Sequence, residues 1–335
     1  MTSASTDRNT RQEPLLFSFA ASRPFGEAVA ERLGCPLAAL EERIFEGGEH
    51  KTRPLVEVGD RDVYVIQSLD GEPGQSCNDK LIRLLFLIGA LKDAGAGRVT
   101  AAIPYLAYAR KDRRTKPRDP INSRYVAALF EAVGTDRVLA LEVHNIAAFE
   151  NAFRHCRAEQ LPVAGMLADH IASIVPNEPI TVVSPDAGGM KRAELFRSEL
   201  EKRLGRPVGK ALMDKHRSAG VVSGVLFAGD VKGCVAVIID DLISTGTTIV
   251  RAATTCRAAG ATRIIAAAAH GLFTDGAPVL FGPDGPDQVI VTDSVPVRTV
   301  SDTSRIHILS AAGFVANAIS RLHRGEPFYE LLPYD

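Results

Sequence analysis

Short β-branched runs alternate with amphipathic stretches along this chain, and that alternation limits the possible folds more than any other feature. Val63–Ile66 is a strand-like run. Residues 77–94 then carry apolar side chains with helical periodicity, and Val99–Ile103 is the next strand-like run. Strands that alternate with helices predict an α/β fold with a mainly parallel sheet.

The second half of the chain repeats this plan. Residues 234–239 form a strand-like run, followed by a loop and by a predicted helix over residues 247–259. The sequence AGATR at 259–263 precedes the next strand, just as AGAGR at 94–98 does in the first half. Because these segments lie about half a chain apart, an internal duplication explains them best. We therefore expect two related α/β domains.

Charge and composition argue against several classes of protein. The 39 Lys and Arg residues nearly balance the 40 Asp and Glu residues, so no global field favours nucleic acid or an anionic membrane. No apolar run reaches membrane-spanning length, and the N-terminus lacks the apolar core of a signal peptide. The five cysteines are scattered singly, which suits a reducing compartment. These features predict a cytoplasmic protein with a disordered tail at residues 1–14.

The strongest functional signal is an apolar strand that ends in two carboxylates and a hydroxyl-rich loop. Ligands of open α/β sheets bind at the carboxyl ends of the strands, and backbone N–H groups at a following helix N-terminus favour a phosphate. Paired carboxylates can accept hydrogen bonds from sugar hydroxyls or hold magnesium through water. The alternative is an ordinary Asp-capped turn. The residues of this predicted sugar-phosphate site are Asp240, Asp241, Ser244, Thr245, Gly246, Thr247 and Thr248.

Four weaker motifs each have an ordinary structural explanation as well. Asp186–Gly189 follows a strand and resembles many Pro-Asp-x-Gly turns, although it could also hold a metal or a ligand. Residues 110–118 contain six basic residues, which suits a polyphosphate or simply a solvated loop. His144 ends a strand, where it could pack or bind magnesium. Lys215 and Arg217 lie on a predicted loop that could close over a phosphoryl group or form a plain surface turn.

Taken together and in order, these motifs resemble the ribose-phosphate pyrophosphokinase family, the phosphoribosyl-pyrophosphate (PRPP) synthetases, from about residue 15 onward. Phosphoribosyltransferases share only the last of the matching segments, so the set favours the synthetase. The segments are FEGGE at 45–49, PYLAYARKDR at 104–113, EVH at 142–144, SPDAGG at 184–189, DKHR at 214–217 and DDLISTGTT at 240–248.

The resemblance implies a fold and a reaction. The fold would consist of two phosphoribosyltransferase-like domains, residues 15–160 completed by 319–335 on the ATP side, and residues 161–318 on the ribose 5-phosphate side. The reaction would transfer the terminal diphosphate of ATP to the C1 hydroxyl of ribose 5-phosphate, giving PRPP and AMP, with Mg2+ as cofactor. The family also implies a homo-oligomer in which the adenine loop comes from a neighbouring subunit.

The resemblance also implies roles for individual residues. Lys215 and Arg217 would be catalytic, and His144 and Asp186 would sit at magnesium positions. The diphosphate loop would consist of Asp186, Ala187, Gly188 and Gly189. The ATP-binding residues would be Phe45, Gly47, Glu49, Arg110, Lys111 and Asp112.

Two departures from the family pattern concern the nucleotide. Gly47 stands where the family typically has Asp, and Lys111 replaces the usual Gln. These changes leave open the preference for adenine. Two alternatives to an active synthetase therefore remain at this point: a catalytically silent regulatory subunit, and a phosphoribosyltransferase that consumes PRPP.

Overall fold

The chain divides into two compact units. The computed structural model describes residues 13–218, 221–298, 300 and 303–332, with side chains for all of these except residues 214–226. Most of the predicted tail at residues 1–14 therefore lies outside the described residues. The N-terminal unit contains the described residues up to Leu161 together with Ala312–Leu331, and the C-terminal unit contains Pro162–Ala311.

A five-stranded parallel sheet, in the order β1-β4-β5-β6-β7, forms the centre of the N-terminal unit. Strands β2 and β3 pair antiparallel as a separate hairpin. The strands of this unit are β1 (Leu15–Ser18), β2 (Leu40–Ile44), β3 (His50–Pro54), β4 (Asp62–Ile66), β5 (Arg98–Ile103), β6 (Arg137–Leu141) and β7 (Arg157–Leu161).

Helices cover this sheet because each presents an apolar stripe with helical spacing. The predicted helix at 77–94 is confirmed as α2, whose Leu84, Ile88 and Leu91 are fully buried in the core. The first helices of the chain are α1 (Arg23–Leu33), α2 (Cys77–Asp93), α3 (Asn122–Ala132) and α4 (Ile146–Glu150).

The C-terminal unit contains a seven-stranded sheet in the order β10-β9-β8-β11-β12-β13-β14, parallel except for the β9–β10 pair. The strands are β8 (Ile180–Ser184), β9 (Gly209–Ser218), β10 (Val221–Ala228), β11 (Val235–Ile243), β12 (Arg263–Gly271), β13 (Gln288–Thr292) and β14 (Ile306–Leu309). The remaining helices are α5 (Ala164–Ile174), α6 (Met190–Leu204) and α7 (Thr247–Ala258), followed by α8 (Ala312–Arg324), which packs on α1 in the N-terminal unit. The predicted α/β fold with two mainly parallel sheets is confirmed.

Two details differ from the sequence predictions. Strand β11 continues through the two aspartates to Ile243, because Asp240, Leu242 and Ile243 pair with β12. The connection to α7 is therefore only Ser244–Gly246. The second difference is that Lys215 and Arg217 lie on strand β9, opposite β10, so the predicted loop is wrong for these positions. The β-branched and aromatic residues of β10 favour a paired strand there.

Candidate active site

The two loops that carry the predicted sugar and diphosphate residues follow neighbouring strands. Strands β8 and β11 pair in parallel, with Val183 opposite Ile238. Since parallel strands end at the same edge of a sheet, the turn after β8 and the loop after β11 open at one edge of the C-terminal unit. The structure thus brings the predicted residues at 186–189 and 240–248 to one place.

The turn after β8 is held by its own aspartate. Oδ1 of Asp186 accepts a hydrogen bond from the backbone N–H of Gly189 at 3.0 Å, and the Ser184 hydroxyl donates to the Asp186 carbonyl at 2.7 Å. Ala187–Gly189 form one 3₁₀ turn that leads into α6. A Cβ at Gly189 would lie 3.0 Å from the Ser184 hydroxyl, so a larger residue would press on this turn. Asp186 itself remains exposed.

The loop after β11 places a helix N-terminus at the same edge. Gly246 is the N-cap residue of α7, with φ of 81°, and no side chain caps the helix among the described residues. A Cβ at Gly246 would lie 2.4 Å from Cγ of Leu280, so only glycine fits. The side chains of Ser244 and Thr245 hydrogen-bond to Thr274 and Thr247 respectively, at 2.8 and 3.2 Å. An uncapped helix N-terminus among hydroxyls is suited to an anion.

Asp240 and Asp241, near the C-terminal end of β11, lie beside Arg192. The Asp240 side chain is 22% exposed and that of Asp241 is 6% exposed. Nη1 of Arg192, in the first turn of α6, lies 3.7 Å from Oδ1 of each. Burial, and then the neighbouring Asp241, raise the pKa of Asp240 well above its usual range, while Arg192 acts to lower that pKa. Sequence reasoning did not single out Arg192.

The corresponding loop of the N-terminal unit, between β4 and α2, is closed by its own residues. Ser76 and Asp79 form a capping box at the start of α2, so this helix N-terminus already has acceptors. Asp70 and Glu72 of this loop form an ion cluster with the buried Lys80 of α2, whose Nζ lies 3.0 Å from Asp70 and 3.2 Å from Glu72. The negative charges of Asp70 and Glu72 repel a phosphate, and the capping box occupies N–H groups that could bind one. The loop before α7 has neither feature among the described residues.

The predicted ATP-binding loop of the N-terminal unit is organised by ion pairs and hydrogen bonds. Nζ of Lys111 lies 2.7 Å from Asp119, whose carboxylate also accepts from the Thr115 and Lys116 backbone. These contacts hold the pKa of Asp119 far below its usual range, the bond to Lys111 first among them. Arg110 is exposed. The loop therefore presents its first arginine while Lys111 is engaged within the chain.

Asp112 is hydrogen-bonded to Asn145, the residue that follows His144. The Asn145 side chain donates a hydrogen bond to Oδ2 of Asp112 at 2.7 Å, and it caps α4 by accepting from the Ala148 N–H. His144, the preceding residue, is exposed just beyond β6. The bond between Asn145 and Asp112 therefore brings the segment that carries His144 next to the loop that carries Asp112.

Phe45, Gly47 and Glu49 lie at the tip of the β2–β3 hairpin. Gly47 and its neighbour Gly48 have φ of 83° and 91°, and the Phe45 N–H donates to the Glu49 carbonyl at 2.7 Å. Phe45 is 40% exposed, with the Arg43 guanidinium 4.8 Å above its ring. Among the described residues, no hydrogen bond or ion pair joins this tip to the Arg110–Asp112 loop.

The remaining predicted residues, Lys215 and Arg217, are placed by backbone alone, since their side chains lie outside the described part of the structure. Within the described residues, no group of three or more His, Cys, Asp or Glu side chains could by itself hold a metal ion. No helix in the described ranges is long and apolar enough to cross a membrane.

Comparison with known proteins identifies the family. A family model for the N-terminal domain of ribose phosphate pyrophosphokinase matches residues 15–134, and a model for a phosphoribosyl synthetase-associated domain matches residues 215–332. A ribose-phosphate pyrophosphokinase of Caldanaerobacter subterraneus is 35% identical over 89% of this chain and 90% of its own length. The chain belongs to the ribose-phosphate pyrophosphokinase family.

A solved structure supports the same assignment at the level of the fold. The phosphoribosylpyrophosphate synthetase of Mycobacterium smegmatis superimposes with a TM-score of 0.84 and 32% identity, over 94% of this chain and all of the other. The match covers both units, so the fold consists of two phosphoribosyltransferase-like domains. Membership in the ribose-phosphate pyrophosphokinase family also assigns the chain to that class of enzyme.

Proposed function

We propose that the chain transfers the β,γ-diphosphate of ATP to the C1 hydroxyl of ribose 5-phosphate, giving PRPP and AMP. The observation that carries this proposal is the pair of loops at one sheet edge of the C-terminal unit. One loop supplies the uncapped N-terminus of α7, and the neighbouring residues supply two carboxylates. A sugar that bears a phosphate matches both features.

Ribose 5-phosphate would bind with its phosphate on the loop Ser244–Thr248. Backbone N–H groups, the hydroxyls and the positive end of the α7 dipole all favour a dianion there. Asp240 and Asp241 would then accept hydrogen bonds from the sugar hydroxyls. The φ of Gly246 and its contact with Leu280 keep the loop narrow, so the backbone can approach the phosphate closely.

ATP would bind through the residues that the family resemblance implies in the N-terminal unit. Arg110, Lys111 and Asp112 would face the nucleotide, and Phe45 and Glu49 would reach adenine from a neighbouring subunit. The exposure of Phe45 and of the hairpin tip is compatible with such a role, because an aromatic ring at a subunit interface would be covered on assembly. We accordingly propose a homo-oligomer.

The reaction would join the C1 oxygen to the β-phosphorus of ATP and break the bond from that phosphorus to the bridging oxygen of AMP. The C1 hydroxyl loses its proton, which is released to water, and AMP leaves with the bridging oxygen. Such transfers depend chiefly on alignment of the two substrates and on neutralisation of charge on the phosphoryl oxygens. Lys215 and Arg217 would supply that neutralisation, and the backbone N–H groups of Ala187 and Gly188 in the Asp186–Gly189 turn would hold the diphosphate.

The residues present fit magnesium as a cofactor that is bound largely by substrate. Mg2+ in such enzymes is usually held by one or two carboxylates together with substrate phosphates and water, rather than by a cage of protein ligands. The exposed Asp186, with one oxygen fixed by Gly189, suits this arrangement, and no three-ligand cluster is required. His144 would lie at a second magnesium position. Bound magnesium would neutralise phosphate charge and orient the diphosphate.

An end-point assay tests the proposal. The protein is incubated with Mg2+, ribose 5-phosphate and each of ATP, GTP, CTP and UTP, and the nucleotide products are separated by chromatography. The proposal predicts AMP that forms only when ribose 5-phosphate is present. Formation of ADP would show transfer of a single phosphoryl group and refute diphosphoryl transfer. Conversion of PRPP with a free base in the absence of ATP would instead support a phosphoribosyltransferase.

A further inference from the structure

Arg192 connects the two loops of the C-terminal unit. It lies in the first turn of α6, three residues after Gly189 at the end of the Asp186 turn. Its Nη1 atom is 3.7 Å from Oδ1 of Asp240 and equally far from Oδ1 of Asp241. A single guanidinium nitrogen therefore lies between two carboxylates of adjacent residues, and the arginine side chain is itself only 16% exposed.

The position of this cation is unusual for a helix. Cations in the first turn oppose the helix dipole, so a nearby anion stabilises an arginine there. Arg197, in the middle of α6, pairs with Glu194 and Glu201 on its own helix. Arg192 instead reaches strand β11, where the two carboxylates lie close together in partly buried surroundings.

A nearby cation favours the ionised form of these two aspartates, in which both oxygens of each can accept hydrogen bonds from a sugar. Two adjacent, partly buried carboxylates disfavour each other's charged form, and burial adds to this effect. The Asp241 N–H also donates to Oδ1 of Asp240 at 2.9 Å, which fixes one carboxylate relative to the next residue. Arg192 opposes this effect by favouring the ionised form of the pair and, through α6, ties the two aspartates to the Asp186 turn.

We propose that Arg192 is a positioning residue for ribose 5-phosphate, which holds Asp240 and Asp241 as hydrogen-bond acceptors and fixes them relative to the Asp186–Gly189 turn. The proposal rests on the proposed function, because it takes the sugar to bind at these carboxylates. Arg192 does not have to contact the substrate. It acts through the two aspartates, and its effect should appear in the binding of the sugar rather than of ATP.

The test compares three variants of the full-length protein in steady-state assays of AMP formation. In Arg192→Gln, KM for ribose 5-phosphate should rise by about tenfold or more, the size expected for losing one charge-assisted interaction, while KM for ATP changes by less than about twofold. Arg192→Lys keeps the positive charge and should recover much of the loss. Arg197→Gln, on the same helix, is the matched control and should leave both KM values near those of the wild type.

The outcomes separate this inference from the proposed function. If the wild type forms no AMP, the proposed function is refuted by the wild type alone, and the positioning role, which depends on that function, is refuted with it. If the wild type is active and Arg192→Gln leaves KM for ribose 5-phosphate unchanged, or raises both KM values equally, the positioning role is refuted. Should Arg192→Gln fold poorly by circular dichroism, Arg192→Met, which also removes the charge but keeps the apolar stem, replaces it. A rise in KM for the sugar alone then supports the role, and KM values that are unchanged or raised equally overturn it.

Discussion

Replacing Lys80 with methionine should destabilise the N-terminal unit strongly. Lys80 is 0% exposed and Asp70 is 2% exposed, and Lys80 also lies 3.2 Å from Glu72. Methionine preserves most of the apolar stem of the lysine but removes the charge. Loss of one partner from a buried ion pair costs about 3–5 kcal/mol, because the other charge stays in a poorly solvated site. That is a large part of the 5–15 kcal/mol that stabilises a typical domain.

Hydrogen exchange followed by mass spectrometry measures this effect in one unit at a time. We expect amides of α2 and β4 to exchange at least about a hundredfold faster in Lys80→Met, whereas peptides from β11 and α7 in the C-terminal unit keep their wild-type rates. Lys92→Met is the control on the same helix. Lys92 and Asp136 are 29% and 38% exposed, so that pair should contribute less than about 1 kcal/mol.

A second substitution checks the physical reason. If the uncompensated carboxylate causes the loss, Asp70→Asn added to Lys80→Met should restore part of the protection, although Asp70→Asn alone should reduce it. Equal effects of Lys80→Met and Lys92→Met would contradict the reasoning. So would a double variant that is less stable than the sum of the two single changes.

Four further predictions concern the candidate site. Gly246→Ala should lower kcat/KM for ribose 5-phosphate about tenfold or more, since a Cβ there is both strained and overpacked, and steady-state kinetics measure this. Lys215→Ala should reduce kcat about a hundredfold or more, whereas Lys210→Ala on the same strand, whose pair with Glu194 is exposed, should reduce it less than about twofold. Gly47→Asp meets no steric clash, although the φ of 83° strains its backbone, and it should increase discrimination for ATP over GTP in a competition assay. The pKa of Asp240 is raised in the folded state, so above about pH 4 the folded protein keeps a proton that the unfolded chain releases. The free energy of unfolding should therefore fall as pH rises from about 4 to about 8. Urea unfolding should show that Asp240→Asn, which cannot titrate, is more stable than the wild type at about pH 8 but not at about pH 4.

The sugar loop could be predicted from sequence because all of its parts are contiguous. A strand, a glycine-containing loop and a helix N-terminus fall within residues 235–258, and each has a local signal in hydrophobic pattern or residue type. The same holds for the alternation of strands and helices. Local patterns of this kind do not depend on which distant residues they meet.

The end of β11 could not be predicted in this way. Asp240 and Asp241 are poor strand residues, and the sequence therefore favoured a loop beginning at Asp240. In the structure, hydrogen bonds to β12, from residue 263 onward, keep the strand in register to Ile243. A non-local partner thus overrides the local preference.

Arg192 and Lys80 were missed for a related reason. Each lies near the start of a helix among other polar residues, where a cation is normally solvated. Only the folded chain shows that Lys80 is buried against Asp70 and that Arg192 faces Asp240 and Asp241. One signal was available for Arg192, since a Lys-Arg pair in the first turn of a predicted helix opposes the helix dipole.

The most direct test of the proposed reaction follows the β-phosphorus of ATP. With ATP labelled at the β-phosphate with 32P, unlabelled ribose 5-phosphate and Mg2+, we predict that the label moves to a sugar diphosphate in an amount equal to the AMP formed. No label should appear in ADP. Label that stays with a nucleotide diphosphate, while ribose 5-phosphate gains an unlabelled phosphate, would show that the bond to the γ-phosphorus is broken instead and would contradict the account.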